Sequence, residues 1–199
     1  MQRTLPLVLS LLLPLVCSKL SAQEKPPQEK PPEKKPALKA GDAAPFMVAD
    51  FLAGAHANKP GCPFVMVSNS RKRGVVILCR GEAAASAALE FAKALDGNPV
   101  DDQRHRGFVV AYDLDRVKAA DLGKASGVEG LSLGIPRGQA LDGKGAFERL
   151  GLPETSDLAI CVVDRKLVAG LWLLSAENFK DRKEAVLSEI QAKLEAAGN

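Results

Sequence analysis

Three cysteines are the residues of this chain best suited to chemistry: Cys62, Cys79 and Cys161. A thiolate is a nucleophile and a soft metal ligand, and two neighbouring thiols make a two-electron couple. A fourth cysteine, Cys17, lies in an apolar amino-terminal run. Cys79 ends the run Gly74-Val75-Val76-Ile77-Leu78-Cys79, and Cys161 lies inside Leu158-Ala159-Ile160-Cys161-Val162-Val163. Cysteine in such surroundings behaves as a small hydrophobe. Cys62, in Pro60-Gly61-Cys62-Pro63, is expected at a loop or strand start. If Phe64 to Val67 pairs with Val75 to Cys79 as a hairpin, Cys62 and Cys79 flank its turn at matched distances. A bridge between them is then one reading, and three free thiols is the other.

Other site chemistries find little support. His56, His105 and Cys62 are the metal-ligand candidates besides carboxylates, and no two histidines stand at helical spacing. Zinc needs three or four ligands in recognisable spacing, so no metal is expected and both histidines read as exposed loop residues. Gly143-Lys144-Gly145 lacks the strand and the Gly-Lys-Ser/Thr ending of a phosphate loop. Ser68 and Ser70 have no Gly-x-Ser-x-Gly setting. Trp172 and Tyr112 read as core residues. No cofactor is expected.

The elements that must position the thiols follow from the apolar pattern. Phe64 to Val67, Val75 to Cys79, Phe108 to Tyr112, Leu158 to Val163 and Leu167 to Leu174 are continuous apolar runs, which predicts strands covered on both faces. Helices are predicted over Ala83 to Leu95, over Asp115 to Lys124 closed by Gly127, and after an N-cap at Ser175, where Phe179, Val186, Ile190 and Leu194 recur at helical spacing. Turns are expected at 69–74, 97–99 and 142–145, and a tight β-hairpin at Val163-Asp164-Arg165-Lys166. The alternation predicts an α/β fold, a central mixed sheet with helices on both faces.

The ends carry different information. Arg3, the apolar stretch Leu5 to Val16 and the small residue Ala22 match an export signal cleaved after Ala22. The apolar stretch is too short to span a bilayer, which takes about 20 residues. Val16 before Cys17 is not the small residue that precedes a lipidated cysteine. Residues 23–41, with the near-repeat Gln-Glu-Lys-Pro-Pro, read as a Pro/Lys/Glu-rich disordered linker. Residues 42–199 are left as one domain. The chain's charge of +3 belongs to the ends, because residues 1–22 hold Arg3 and Lys19 and residues 23–41 hold five lysines against three glutamates. A nearly neutral remainder gives no case for nucleic acid. No transmembrane segment is expected in the mature chain, which is placed outside the cytoplasm, periplasmic or secreted.

Four stretches in this order resemble the thioredoxin-like superfamily, in its peroxiredoxin and extracytoplasmic thiol-disulfide reductase branch. Gly41-Asp42-Ala43-Ala44-Pro45-Phe46 is similar to its G-x-x-A-P-x-F opening, offset by one residue. Val75 to Cys79 followed by a helix resembles the strand that presents the active site. Ile135-Pro136-Arg137-Gly138 through Phe147-Glu148-Arg149-Leu150-Gly151-Leu152 resembles the strand, loop and short helix that follow. Leu158 to Val168 resembles the final hairpin. The resemblance implies an N-terminal β extension, a C-terminal helix and neighbouring strands for Cys79 and Cys161, between which a bridge would be strained.

The same resemblance exposes a gap. The family's C-x-x-C opens the helix after the strand, and the matching positions are Ala83 and Ser86. Its cis-proline aligns with Leu158. The active-site cysteines are therefore missing, and no catalytic residue is assigned. The expected function is an exported domain lacking redox catalysis that acts as a binding or structural module of the cell envelope, with an unknown protein or envelope partner. The alternative is an atypical thiol-disulfide oxidoreductase using Cys62 or Cys79, with Cys161 the remaining redox candidate.

Overall fold

The computed structural model describes residues 37–69, 73–96, 106–127, 130–137, 147 and 150–195. The expected signal at 1–22, most of the linker, the turns at 97–99 and 142–145, and His105 lie outside them. Strand β3 (Gly74–Arg80) is the axis of the fold, because Val75 to Cys79 are all buried and require cover on both faces. It pairs in parallel with β4 (Arg106–Tyr112), which pairs in parallel with β5 (Leu131–Pro136). On its other side β3 pairs antiparallel with β6 (Leu158–Asp164), and β6 with β7 (Leu167–Leu174). The hairpin of β1 (Ala49–Gly54) and β2 (Pro60–Gly61) adds antiparallel to β5. The result is a seven-stranded mixed sheet in the order β2-β1-β5-β4-β3-β6-β7. The strands predicted at 75–79, 108–112, 158–163 and 167–174 are all present.

Helices supply the cover. On one face lie α2 (Gly81–Asp96) and α4 (Phe179–Glu195), packing Phe91, Leu95, Phe179, Val186 and Ile190 onto Val75, Ile77 and Cys79. Helix α3 (Arg116–Ser126) joins β4 to β5; Asp115 caps it by accepting from the Val117 and Lys118 N–H groups at 2.9 Å. Gly127 closes it at φ 63°, as its spacing implied. At the start of α4, Ser175 Oγ accepts from the Asn178 N–H while Asn178 Oδ1 accepts from the Ser175 N–H, so the helix begins three residues later than a Ser175 cap implies. The β6–β7 hairpin turns through Arg165 and Lys166, both at positive φ, the backbone that a two-residue connection needs.

The opposite face corrects one expectation. Residues Phe64 to Val67 are not a strand: they lie in helix α1 (Pro63–Asn69). Pro63 starts it, since its fixed φ suits a first turn, and Ser68 Oγ donates to the Phe64 carbonyl. Phe64 and Val67 are buried while Val65 is 40% exposed, a helical stripe too short to distinguish from a strand by pattern. Phe64, Val67, Phe108, Phe147 and Leu152 fill this side of the sheet. Leu38 and Gly41, expected at the end of the linker, are already attached. The Leu38 N–H donates to the Leu150 carbonyl, and that of Gly41 to Val168. Strands β1 and β5 escaped the apolar reading because Ala49, Ala53, Ser132 and Gly134 leave them few bulky groups. At Gly54, φ is 86° and a Cβ would fall 1.7 Å from the Leu131 oxygen, so only glycine fits.

Candidate functional site

The carboxyl end of β3 is where the sheet, α2 and the segment before β6 converge. Gly81 makes the strand-to-helix turn at φ 81°, so β3 passes into α2 with no intervening loop. The first turn of α2 carries Glu82, whose carboxylate pairs with Lys118 Nζ at 3.2 Å. A carboxylate suits the positive end of a helix and would oppose a thiolate there. Ala83 is exposed and Ser86 half-buried, and neither position holds a thiol.

Arg80 dominates this corner, and the sequence reading passed over it. Its backbone N–H donates to the Asp157 carbonyl at 2.9 Å. Its guanidinium Nη2 donates to the carbonyls of Glu154 at 2.6 Å and Ser156 at 3.2 Å, and meets Asp157 Oδ1 at 3.4 Å. The same group lies over the Phe147 ring, 5.4 Å from its centre. Asp157 Oδ2 in turn accepts from the Ala176 N–H at 3.2 Å. Leu158, aligned with the family's proline, is fully buried at the start of β6. One arginine thus ties the segment before β6 to the end of β3. The only sequence signal was a cation ending an otherwise apolar strand.

The three thiols lie elsewhere, all free and buried. Cys79 points to the α2 face and donates to the Val110 carbonyl at 3.5 Å. Cys161 and Cys62 pack on the α1 face. Strands β3 and β6 are neighbours, as the resemblance implied, but Cys161 stands opposite Val76 and Cys79 opposite Leu158, so the two side chains lie on opposite faces. The hairpin that suggested a bridge between Cys62 and Cys79 does not exist, because residues 63–69 are helical, and those side chains also face opposite ways. Burial pushes the Cys161 thiol up to about 12 and raises that of Cys79 further. Tyr112 is raised as well, first by burial and then by Cys79. Cys62, 7% exposed, accepts from the Met47 N–H at 3.5 Å.

Two aromatic expectations change. His56 is half-buried rather than exposed: its backbone N–H donates to Ser132 Oγ at 3.1 Å, and Nδ1 lies 3.0 Å from the same oxygen. Its ring sits 5.2 Å from that of Phe108. Ser132 is 1% exposed, so the pair fastens the β1–β2 connection to β5 and presents no nucleophile to solvent. Trp172 is only half-buried and donates to Glu189 Oε2, whereas Tyr112 is a core residue as expected. Among the described residues no three His, Cys, Asp or Glu side chains are grouped to hold a metal ion, and no helix is long and apolar enough to cross a membrane.

No protein-family model matches the sequence, and no curated protein matches it. Solved structures do match the fold. A protein assigned as the thiol:disulfide interchange protein DsbE from Chlorobium tepidum superposes with a TM-score of 0.54 at 15% identity, over 79% of this chain and 99% of that one. A peroxiredoxin-like protein from Aquifex aeolicus gives 0.50 at 15% identity, over 80% and 90%. A protein assigned as a disulfide isomerase from Bacteroides thetaiotaomicron gives 0.50 at 14%, over 79% and 91%. At such identities the likeness speaks for architecture and not for activity. With its mixed sheet, flanking helices and C-terminal helix, this chain has the thioredoxin-like fold.

Proposed function

We propose that this chain is an exported thioredoxin-like domain that carries out no thiol-disulfide chemistry and serves as a binding or structural module of the cell envelope. The observation that carries the reading is the separation of the thiols from the start of α2, the helix that follows β3. The amino end of α2 holds Glu82 paired with Lys118 and no sulfur, while Cys79 and Cys161 are fully buried with raised pKa values. A thiolate forms readily where a helix start or a cation favours it, and apolar burial does the reverse. Export rests on Arg3, the apolar stretch to Val16 and Ala22, with residues 23–41 as a spacer before the domain at 42–199.

The test is turnover. Purified protein should neither reduce insulin disulfides nor consume peroxide above background, and a rate abolished by a single Cys→Ala change would overturn the reading. Accumulation in the cytoplasm with residues 1–22 intact would overturn the export part. One observation favours a second reading. Cys62 is the thiol nearest solvent, at the surface edge where Met47 crosses it. An atypical oxidoreductase would act through Cys62 with a cysteine of its partner, and rapid native alkylation confined to Cys62 would favour it.

A further inference from the structure

We propose that the surface where β1 meets the start of α3 is a docking site for an acidic protein segment that also carries apolar side chains. This rests on the binding-module reading and names the chemistry of the partner. Two arginines from distant parts of the chain converge here on one carboxylate. Arg116 Nη1, in the first turn of α3, lies 3.5 Å from Asp50 Oδ2, and Arg137 Nε, just after β5, lies 3.6 Å from Asp50 Oδ1. Both arginine side chains remain more than half exposed. Each spends one nitrogen on Asp50, which leaves its other N–H donors for a further acceptor.

The acids nearby do not absorb this charge. Asp50 is shared between two cations, Asp115 Oδ1 accepts from the Val117 and Lys118 N–H groups, and Glu82 holds Lys118. Asp113 is engaged in a contact of its own. The arginine pair therefore keeps a positive charge that its one carboxylate does not balance. It is presented by planar groups suited to gripping a second carboxylate through two N–H bonds.

Apolar surface lies beside the charge. Phe46 and Val117, 77% and 69% exposed, are the most exposed large hydrophobic residues among those described. Val117 follows Arg116 directly. Phe46 stands two residues before Val48, whose carbonyl accepts the Arg137 N–H at 2.9 Å. Between them Met47 takes the Tyr112 hydroxyl on its Sδ at 3.6 Å, which anchors the segment to the end of β4 from which α3 departs. Arginine beside exposed aromatic and aliphatic groups is the composition of a protein-binding surface. A wall polysaccharide would satisfy the arginines and leave Phe46 and Val117 in water. A polypeptide with acidic and apolar side chains covers both.

Selection from a random peptide display library on the purified chain tests this. The recovered peptides should be rich in aspartate or glutamate together with leucine or aromatic residues. One of them, synthesised with a fluorescent label, should lose affinity roughly tenfold or more to the double variant Arg116→Gln, Arg137→Gln. Phe46→Ser and Val117→Ser should also weaken it; they leave the ion pairs intact and so answer if the arginine variant fails to fold. Lys193→Gln, in the last turn of α4, should bind as the parent does. No enrichment, peptides without acids, or affinity indifferent to these variants would overturn the proposal. So would polyglutamate or phosphatidylglycerol vesicles binding the parent chain and Phe46→Ser alike. Disulfide turnover with peptide binding intact would instead strike the binding-module reading and leave this surface standing.

Discussion

The carboxyl end of β3 and the interior of the sheet divide between them what a thiol enzyme keeps together. At the first, an open helix start, a left-handed glycine and a converging loop form a corner that has polar partners and no sulfur. In the second, Cys79 and Cys161 are sealed from solvent inside strands, and Cys62, just before Pro63 at the start of the short helix α1, is 7% exposed. The thioredoxin-like scaffold therefore does not by itself place a thiol at that corner. The fold supplies a positive helix end, and the sequence decides whether a thiol or a carboxylate occupies it.

Moving sulfur to the corner is the sharpest way to break this contrast. The double variant Ala83→Cys, Ser86→Cys restores the family spacing at α2, where Ala83 is exposed. It should gain insulin-reducing turnover above the rate of the parent chain, which the proposed function sets at background. A folded double variant with no rate would show that the corner, and not only its missing thiols, is unsuited to the chemistry.

The buried thiols predict a loss of stability in alkali. Cys161 is raised from 9.0 to about 12 by burial, and Cys79 is raised in the same direction. Above pH 9 the unfolded chain releases thiol protons that the folded chain retains. Stability is therefore undiminished by these groups below pH 9 and falls as pH rises from 9 toward 12, by up to about 1.4 kcal/mol per pH unit for each thiol. Urea midpoints measured across that range should decline, and Cys161→Ala should make the decline shallower. A flat profile would mean that the thiols ionise without unfolding.

Arg80→Ala carries the smallest of the three effects. It strips the carbonyls of Glu154 and Ser156 of a charged donor and leaves Asp157 with the Ala176 N–H, which should cost about 2 kcal/mol. A shift in the urea midpoint at unchanged slope measures it. No shift would show that water replaces the guanidinium at this corner.

The sequence was most legible where burial is complete. β3, β4, β6 and β7 are apolar on both faces, so their runs announced them, and Gly127 announced the end of α3. The helix of residues 63–69 was misread because four apolar residues in a row satisfy either period, and Pro63, its start signal, was attributed to the loop. β1 and β5 were hidden by their small residues. At the candidate site, the absence of cysteine at Ala83 and Ser86 was visible from local order alone. Arg80 was not, because its partners at 154–157 are some 75 residues away and join it only through the β3–β6 pairing. The faces of Cys79 and Cys161 likewise depend on register, which alternation does not reveal when both faces are apolar.

The arm at 38–44 gives the domain a mechanical fuse. Tension applied through residue 37 meets first the bond from Leu38 to Leu150, then those joining Gly41, Asp42 and Ala44 to Val168 and Lys166. These bonds pass the load to β7 at the edge of the sheet, and only when they give way does it travel along the chain to β1. Releasing the arm frees about 25 Å of chain, at roughly 3.5 Å per residue. A force–extension record taken by pulling between the two termini should show this short step before the main rupture, and a single rupture would show that arm and sheet yield together.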